Sequence, residues 1–169
     1  MIEAARPRAL RQLGIDADAL VRATPGLVWM SITGHGVGRG VAADDVAEAA
    51  QWIGFGDDTA VAGGLSAAMR EASDTIGFVG DAIGDPLSGI FAARAMAERL
   101  ASGVGGRMIL SMSGVVAEAL ASERNRDGAA LNHSLRQWAA ASGLPFPAVA
   151  RRAASPAAAL GADNGCWLR

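Results

Sequence analysis

The chain has one cysteine, Cys166, among its 169 residues. It can form no internal disulfide, which fits a reducing compartment and points to the cytoplasm. Basic residues are not in excess. Fifteen Lys+Arg stand against seventeen Asp+Glu, for a net charge of −2, and the two signs are interspersed. That balance excludes the charge footprint of a nucleic-acid binder or of a protein held on an acidic membrane. No apolar run approaches the roughly 20 residues that span a bilayer. The first ten residues carry Glu3, Arg6 and Arg8 and no apolar core, so they do not read as a signal peptide. Tyrosine is absent and aromatic residues make up only 5%, while 51% of the chain is hydrophobic. Alanine and glycine therefore dominate the apolar content, which predicts close-packed helices joined by tight connections rather than disorder. The length suits a single domain with a sizeable core.

Taken in order, Ile2 to Leu13 reads as a short helix interrupted by Pro7, and Gly14 ends it. Asp16 or Asp18 caps a second short helix. After the Pro25-Gly26 turn, Leu27 to Ile32 reads as a buried strand, leading into glycines 34, 36, 38 and 40 with His35 and Arg39 between them. Backbone amides in such a loop can approach an anion, but the G-x-G-x-G-x-G spacing is neither a dinucleotide fingerprint nor a P-loop. His35 is either a general acid or base or an ordinary loop histidine. Asp44-Asp45 caps a helix from Val46 to Ile53, with Glu48 in a capping-box position. The Asp57-Asp58 pair lacks a neighbouring histidine or cysteine and caps a helix from Thr59 to Ala68 rather than holding a metal. Gly63-Gly64 weakens that helix unless something packs tightly on it. Arg107 to Met112 reads as another strand. A helix from Ser113 to Ser122, a charged loop from Glu123 to Gly128 and an amphipathic helix from Leu131 to Ala141 follow. Strands alternating with helices predict an α/β layer arrangement. No internal repeat is present. Residues 1–142 form the expected domain, and residues 143–169, rich in proline and alanine, the expected tail.

The stretch that organises the rest is Gly84-Asp85-Pro86-Leu87-Ser88-Gly89. It joins the short apolar segment Ile76–Val79 to a helix in which Ile90, Phe91, Ala93, Ala97 and Leu100 recur at three- and four-residue spacing. Asp85 before Pro86 reads as a helix start, with the aspartate as N-cap and the proline at the first helical position. A carboxylate there interacts favourably with the positive end of the helix. Two roles fit the residue: a cap alone, or a nucleophile at the mouth of a strand-to-helix turn.

Four segments together resemble the family III CoA-transferases, the group that contains formyl-CoA transferase, carnitine CoA-transferase and the α-methylacyl-CoA racemases. Pro25-Gly26-Leu27-Val28-Trp29-Met30-Ser31-Ile32-Thr33-Gly34 resembles that family's "P-x-L-V-x-x-S-I-[ST]-G" strand and loop. Asp45-Val46-Ala47-Glu48-Ala49-Ala50 is similar to the helix that follows it. Asp81 to Gly89 is similar to the "D-x-x-[TS]-G" element with its alanine-rich helix. Gly103 to Ser113 resembles "G-x-G-Q-x-V-D-V-S-M".

The resemblance implies a Rossmann-like open sheet with helices, an incomplete version of the family's large domain. It implies that Asp85 is the catalytic nucleophile, attacking an acyl-CoA thioester, and that the CoA passes through an aspartyl-CoA thioester to an acceptor carboxylic acid. Gly34, Gly36, Asp45 and Gly84 are then expected to contact the coenzyme, and Arg39, from its setting in the glycine loop, to contact its phosphate. CoA and acyl-CoA are then substrates, with no permanently bound cofactor and no metal. Family members are longer, with a first Rossmann-like unit and a smaller second domain that have no counterpart here, although Glu3-Ala4-Ala5-Arg6-Pro7 resembles their "E-N-F-R-P". The racemases place a histidine beside the aspartate that Asp45 resembles, whereas Asp44 stands here. A transferase is therefore the first expectation. A racemase or epimerase, and a non-catalytic remnant or subunit, are the alternatives. Sheet strands left without their usual neighbours would expose an edge, so the chain is expected to work as a homodimer or in a hetero-complex that supplies the missing N-terminal half. Neither nucleic acid nor membrane is an expected partner.

Overall fold

The computed structural model describes residues 1–5, 7–36, 52–141, 159–162 and 164–167. Among them a three-stranded parallel sheet is ordered β1-β2-β3, with β1 Ile2–Glu3, β2 Val28–Thr33 and β3 Gly106–Ser111. β2 is central. It pairs in register with β1 (Ile2 with Met30) and along its full length with β3, from Val28 with Gly106 to Thr33 with Ser111. The pairing with β1 is extended by the terminal amine of Met1 on the Val28 carbonyl and by the Met30 amide on the Met1 carbonyl. The start of the chain is thus a strand, not the expected helix, and β1 and β3 are the edges of the sheet among the described residues. A helix, α1, does follow at Pro7–Gln12. Proline opens it rather than interrupting it, because the first helical position needs no amide hydrogen. The next helix, α2 (Ala17–Ala23), begins as expected, with Asp16 Oδ1 accepting the Ala19 amide at 2.9 Å.

Alternation along β2 and β3 divides their side chains between two faces. Val28, Met30 and Ile32, with Met108 and Leu110, pack on Ala92, Ala95 and Met96 of the long helix that precedes β3. Trp29 and Ser31 lie on the other face and are also buried. There Arg107 reaches from β3 to Asp18 of α2 at 2.6 Å and to Ser31 Oγ at 3.5 Å.

The helix expected over Thr59–Ala68 is two helices, α3 (Gly56–Ala62) and α4 (Leu65–Ser73). The break falls at Gly63-Gly64. Gly64 has φ +94°, a left-handed conformation that costs glycine little, and a Cβ on Gly63 would lie 2.5 Å from Val116 Cγ1. The long helix α5 spans Gly84–Ala101, and Ile76–Val79 ahead of it is not a strand. The last large element, α6, covers Met112–Ala141 and contains a kink at Asp127 (φ −161°, ψ 82°). The charged loop expected over Glu123–Gly128 is therefore only a corner. Asp127 Oδ1 accepts the Ala130 amide and caps the second half. Both halves of α6 meet α4 in a second core, where Leu120 and Leu135 pack against Ala68 and Met69. The turn expected over Leu160–Asn164 is present around Gly161 and leads into a short helix, α7 (Asn164–Trp167). The expected Val46–Ile53 helix falls mostly outside the described residues, and so does most of the tail.

Two glycine-to-alanine changes test this packing in opposite directions. Gly63→Ala forces a methyl group into Val116 and should cost about 1–3 kcal/mol. Gly89→Ala, inside α5 with nothing within 4 Å of its Cβ position, should stabilise by about 0.5–1 kcal/mol. Thermal melts of the two variants check both signs.

Candidate functional site

In an open parallel sheet, ligands gather at the carboxyl ends of the strands, and at that edge several of the expected residues meet. β2 ends at Thr33, whose hydroxyl donates to the Leu110 carbonyl at 3.0 Å and accepts the Gly36 amide at 2.9 Å. This side chain ties the turn Gly34-His35-Gly36 to both strands. Gly36 has φ +79°, and a Cβ there would meet Ser111 at the end of β3. The Ser113 amide donates to the Gly34 carbonyl, and Ser111 Oγ accepts the Gly114 amide, capping the start of α6. The glycine loop and the start of α6 therefore form one hydrogen-bonded unit.

Onto that unit is laid the segment Trp52 to Thr59. A Cβ on Gly34 would lie 2.7 Å from Gly54 Cα, and one on Gly54 would lie 2.6 Å from Thr59 Cγ2 and 3.0 Å from His35 Nε2. Backbone passes backbone here with no space for side chains. Thr59 is fully buried, and its hydroxyl donates to the Phe55 carbonyl at 2.7 Å. Asp58 Oδ1 accepts the Phe55 amide, so the start of α3 is closed from both sides.

The same Thr59 seats the start of α5. A Cβ on Gly84 would lie 2.5 Å from Thr59 Oγ1 and 2.7 Å from the Gly56 carbonyl oxygen, and one on Gly56 would collide with Ala82. Asp57 Oδ1 holds the Ala82 amide at 2.8 Å. Since α5 runs into β3 through only Ser102 to Gly105, its far end lies at the amino edge of the sheet. Its first turn consequently lies at the carboxyl edge.

Asp85 stands in that first turn, exposed to solvent, with its amide donating to the Ala82 carbonyl at 2.9 Å. It is not the N-cap. Ala82, at φ +48°, and the contact of Gly84 with Thr59 start the helix two residues earlier than Asp-Pro suggested, and Ile83 precedes it. The carboxylate still lies within the turn where helix amides and dipole favour negative charge.

Of the residues expected at the site, Gly34, Gly36, Gly84 and Asp85 are thus brought to one edge, and His35 joins them against Gly54. Arg39 and Asp45 lie outside the described residues, as does Asp44. Sequence reasoning missed Gly54, Gly56 and Thr59, which carry no reactive group. Their signal was the Gly-x-Gly spacing before the aspartate pair. It also missed Ser88, one turn after Asp85, whose buried hydroxyl has no hydrogen-bond partner among the described residues. A groove of about 380 Å³ lies elsewhere, between Gly63-Gly64 and the first half of α6, with the Glu71–Arg124 ion pair on its wall. It contains none of these residues. Among the described residues, no group of three or more His, Cys, Asp or Glu side chains is placed to hold a metal ion.

The family model of CoA-transferase family III matches residues 1–142. No curated protein matches the chain. Among solved structures, a CAIB/BAIF family protein from Brucella suis is similar at 21% identity and a TM-score of 0.58, over 75% of this chain and 33% of that one. A hypothetical protein (Rv3272) from Mycobacterium tuberculosis is similar at 22% identity and a TM-score of 0.58, over 74% of this chain and 34% of that one. Its orthorhombic form gives 23% identity, a TM-score of 0.54 and 78% and 35% coverage. The chain thus spans about a third of the length of the solved proteins that share its fold.

Thr59→Val removes the hydroxyl that binds the Phe55 carbonyl and should lower stability by about 1–3 kcal/mol. Ser88→Ala removes a hydroxyl that has no partner and should leave the melting temperature unchanged or raised. Denaturant titration of both variants against the unmodified chain measures the contrast.

Proposed function

The chain belongs to CoA-transferase family III, and from that premise we propose that it moves CoA from an acyl-CoA to a carboxylic acid with Asp85 as the covalent nucleophile. One observation carries the reading. Asp85 is exposed in the first turn of α5, directly after Gly84, which packs on Thr59 and Gly56 at the carboxyl edge of the sheet. Thr59 in turn meets Gly54, which lies against Gly34. Asp85 stands in the family-like D-x-x-S-G element.

In the proposed cycle the Asp85 carboxylate attacks the thioester carbonyl and expels CoA thiolate, leaving a mixed anhydride. The thiolate then attacks the Asp85 carbonyl of that anhydride, releasing the first carboxylate and forming an aspartyl-CoA thioester. An acceptor carboxylate attacks this thioester, again expelling thiolate and forming a second anhydride. The thiolate takes the acceptor's acyl group from it and regenerates Asp85. A carboxylate is a weak nucleophile, and each step trades one activated acyl bond for another, so a hard transfer is divided into easier ones. Amides of the Gly34–Gly36 turn and of the first turn of α5, other than those of Gly36 and Asp85 that Thr33 and Ala82 already hold, are the candidates to stabilise the oxyanions, because they are fixed before the reaction begins. Gly34, Gly36 and Gly84 are proposed substrate contacts on the family resemblance; the space left by their missing Cβ atoms is itself taken up by Gly54, Ser111 and Thr59. Asp45 is a proposed CoA contact on the family resemblance alone, and Arg39 on its setting in the glycine loop alone.

CoA and acyl-CoA enter this scheme as substrates. No helix among the described residues is long and apolar enough to cross a membrane. The open edge of β3 supports the proposal that the chain acts as a homodimer or in a complex with another polypeptide. The cytoplasm, where acyl-CoA is available and Cys166 remains reduced, is the proposed compartment.

Intact-mass measurement after incubation with a panel of acyl-CoAs tests the nucleophile. A CoA-sized, hydroxylamine-sensitive adduct is expected on the unmodified chain and not on Asp85→Ala. An adduct on both would move the nucleophile elsewhere, and none on either would favour a non-catalytic subunit.

A further inference from the structure

The proposed mechanism leaves unexplained a set of large apolar side chains turned to solvent on the rim of the site. Trp52 is 58%, Ile53 47% and Phe55 67% exposed. They do not belong to a loose loop. Gly54, between them, is locked against Gly34 and Thr59, and Gly56, after them, is locked against Ala82. The Phe55 backbone is held at both its amide, by Asp58, and its carbonyl, by Thr59. Trp52 meets the His35 ring edge to face, with centroids 5.9 Å apart and an interplanar angle of 78°. The result is a fixed backbone that presents free apolar surface beside a reactive carboxylate. Such surface is unfavourable in water unless a ligand covers it. It adjoins Asp85 through the unbroken line of contacts Gly54–Thr59–Gly84.

Charge narrows the ligand. The described segments that meet here, residues 33–36, 52–59 and 80–87, carry Asp57, Asp58, Asp81 and Asp85 and no arginine or lysine. The nearest arginine along α5, Arg94, is paired with Glu98, while Arg99 and Arg107 are held at the Gly105 carbonyl and at Asp18. An acyl group with a second carboxylate would find no cation among these segments and would face charges of its own sign. An uncharged apolar acyl group would face neither penalty and would gain by covering the rings.

We infer, on the basis of the CoA-transfer reading, that Trp52, Ile53 and Phe55 receive the acyl chain of the thioester, and that the substrates of this chain carry uncharged aliphatic or aromatic acyl groups. The two rings act as specificity determinants and take no part in the covalent steps. A formyl group would leave the rim uncovered, and a dicarboxylic acyl group would be repelled by the four aspartates.

Titration calorimetry on the full chain carrying Asp85→Asn, with free CoA, butyryl-CoA, benzoyl-CoA and succinyl-CoA, tests the assignment. Benzoyl-CoA and butyryl-CoA should bind at least about tenfold more tightly than succinyl-CoA. Adding Phe55→Ala or Trp52→Ala should bring both to the affinity of free CoA and leave free CoA unchanged, while Phe55→Leu keeps most of the preference. Thermal melts verify that each variant is folded. Equal affinities across the panel, a preference for succinyl-CoA, or a preference that survives both alanine variants would overturn the inference. If an Asp85 adduct still forms on the unmodified chain in those cases, the transfer reading stands. If no thioester binds, free CoA does not bind, and no adduct forms, both readings fall together.

Discussion

Gly34, Gly54 and Gly84 meet their neighbours at distances that admit no side chain, and the carboxyl edge of the sheet is built on those contacts. A Cβ on any of them would come within 2.8 Å of a backbone or side-chain atom of another segment. Packed backbone is stiff and nearly incompressible, so the contacts fix three independent pieces of chain relative to one another: the turn after β2, the segment before α3 and the first turn of α5. Thr59 is the common member. It is buried beneath all of them, with its methyl group toward Gly54 and its hydroxyl toward Gly84 and the Phe55 carbonyl.

This arrangement explains how a helix start can carry chemistry. α5 is anchored along its length by Ala92 and Met96 against β2 and at its beginning by Gly84 against Thr59. Its first turn cannot drift from Gly56 and Thr59, against which Gly84 is packed. A carboxylate carried there keeps its position through several exchanges of acyl partner, which a multistep covalent cycle requires. The aromatic rim is held by the same contacts, so in the proposed function specificity and reactivity would depend on one set of glycines.

Much of the fold was legible because periodicity reports burial directly. β2, β3, α2 and the body of α5 follow from runs of apolar residues bounded by breakers, and the Asp16 cap follows from residue type. The misreadings have physical causes. β1 is only Ile2–Glu3, too short for any alternation to register, and it exists because β2 offers it an edge. α3 and α4 separate because Gly63 must approach Val116, a tertiary demand that local propensity does not contain. Asp127 caps the second half of α6 and turns a stretch that looked like a loop into a corner. The place of Asp85 in the first turn of α5 was legible from its Asp-Pro element. Its exact helical position was not, since Ala82 and Gly84 set it through contacts with α3. Gly54 and Gly56 could not be found by looking for reactive groups, because their contribution is the space they leave empty, and Thr59 contributes the buried side chain that fills it.

The central claim, that the Asp85 carboxylate itself becomes the acyl carrier, is tested most directly by following its oxygen atoms. With an acyl-CoA and a heavy-oxygen-labelled acceptor carboxylate, the proposed cycle leaves one labelled oxygen on Asp85 at each turnover. The tryptic peptide that spans Glu71 to Arg94, which contains Asp85, should gain the mass of one and then two heavy oxygens. A peptide that stays at its original mass while labelled acyl-CoA accumulates would contradict the account, because CoA would then be changing hands without passing through Asp85.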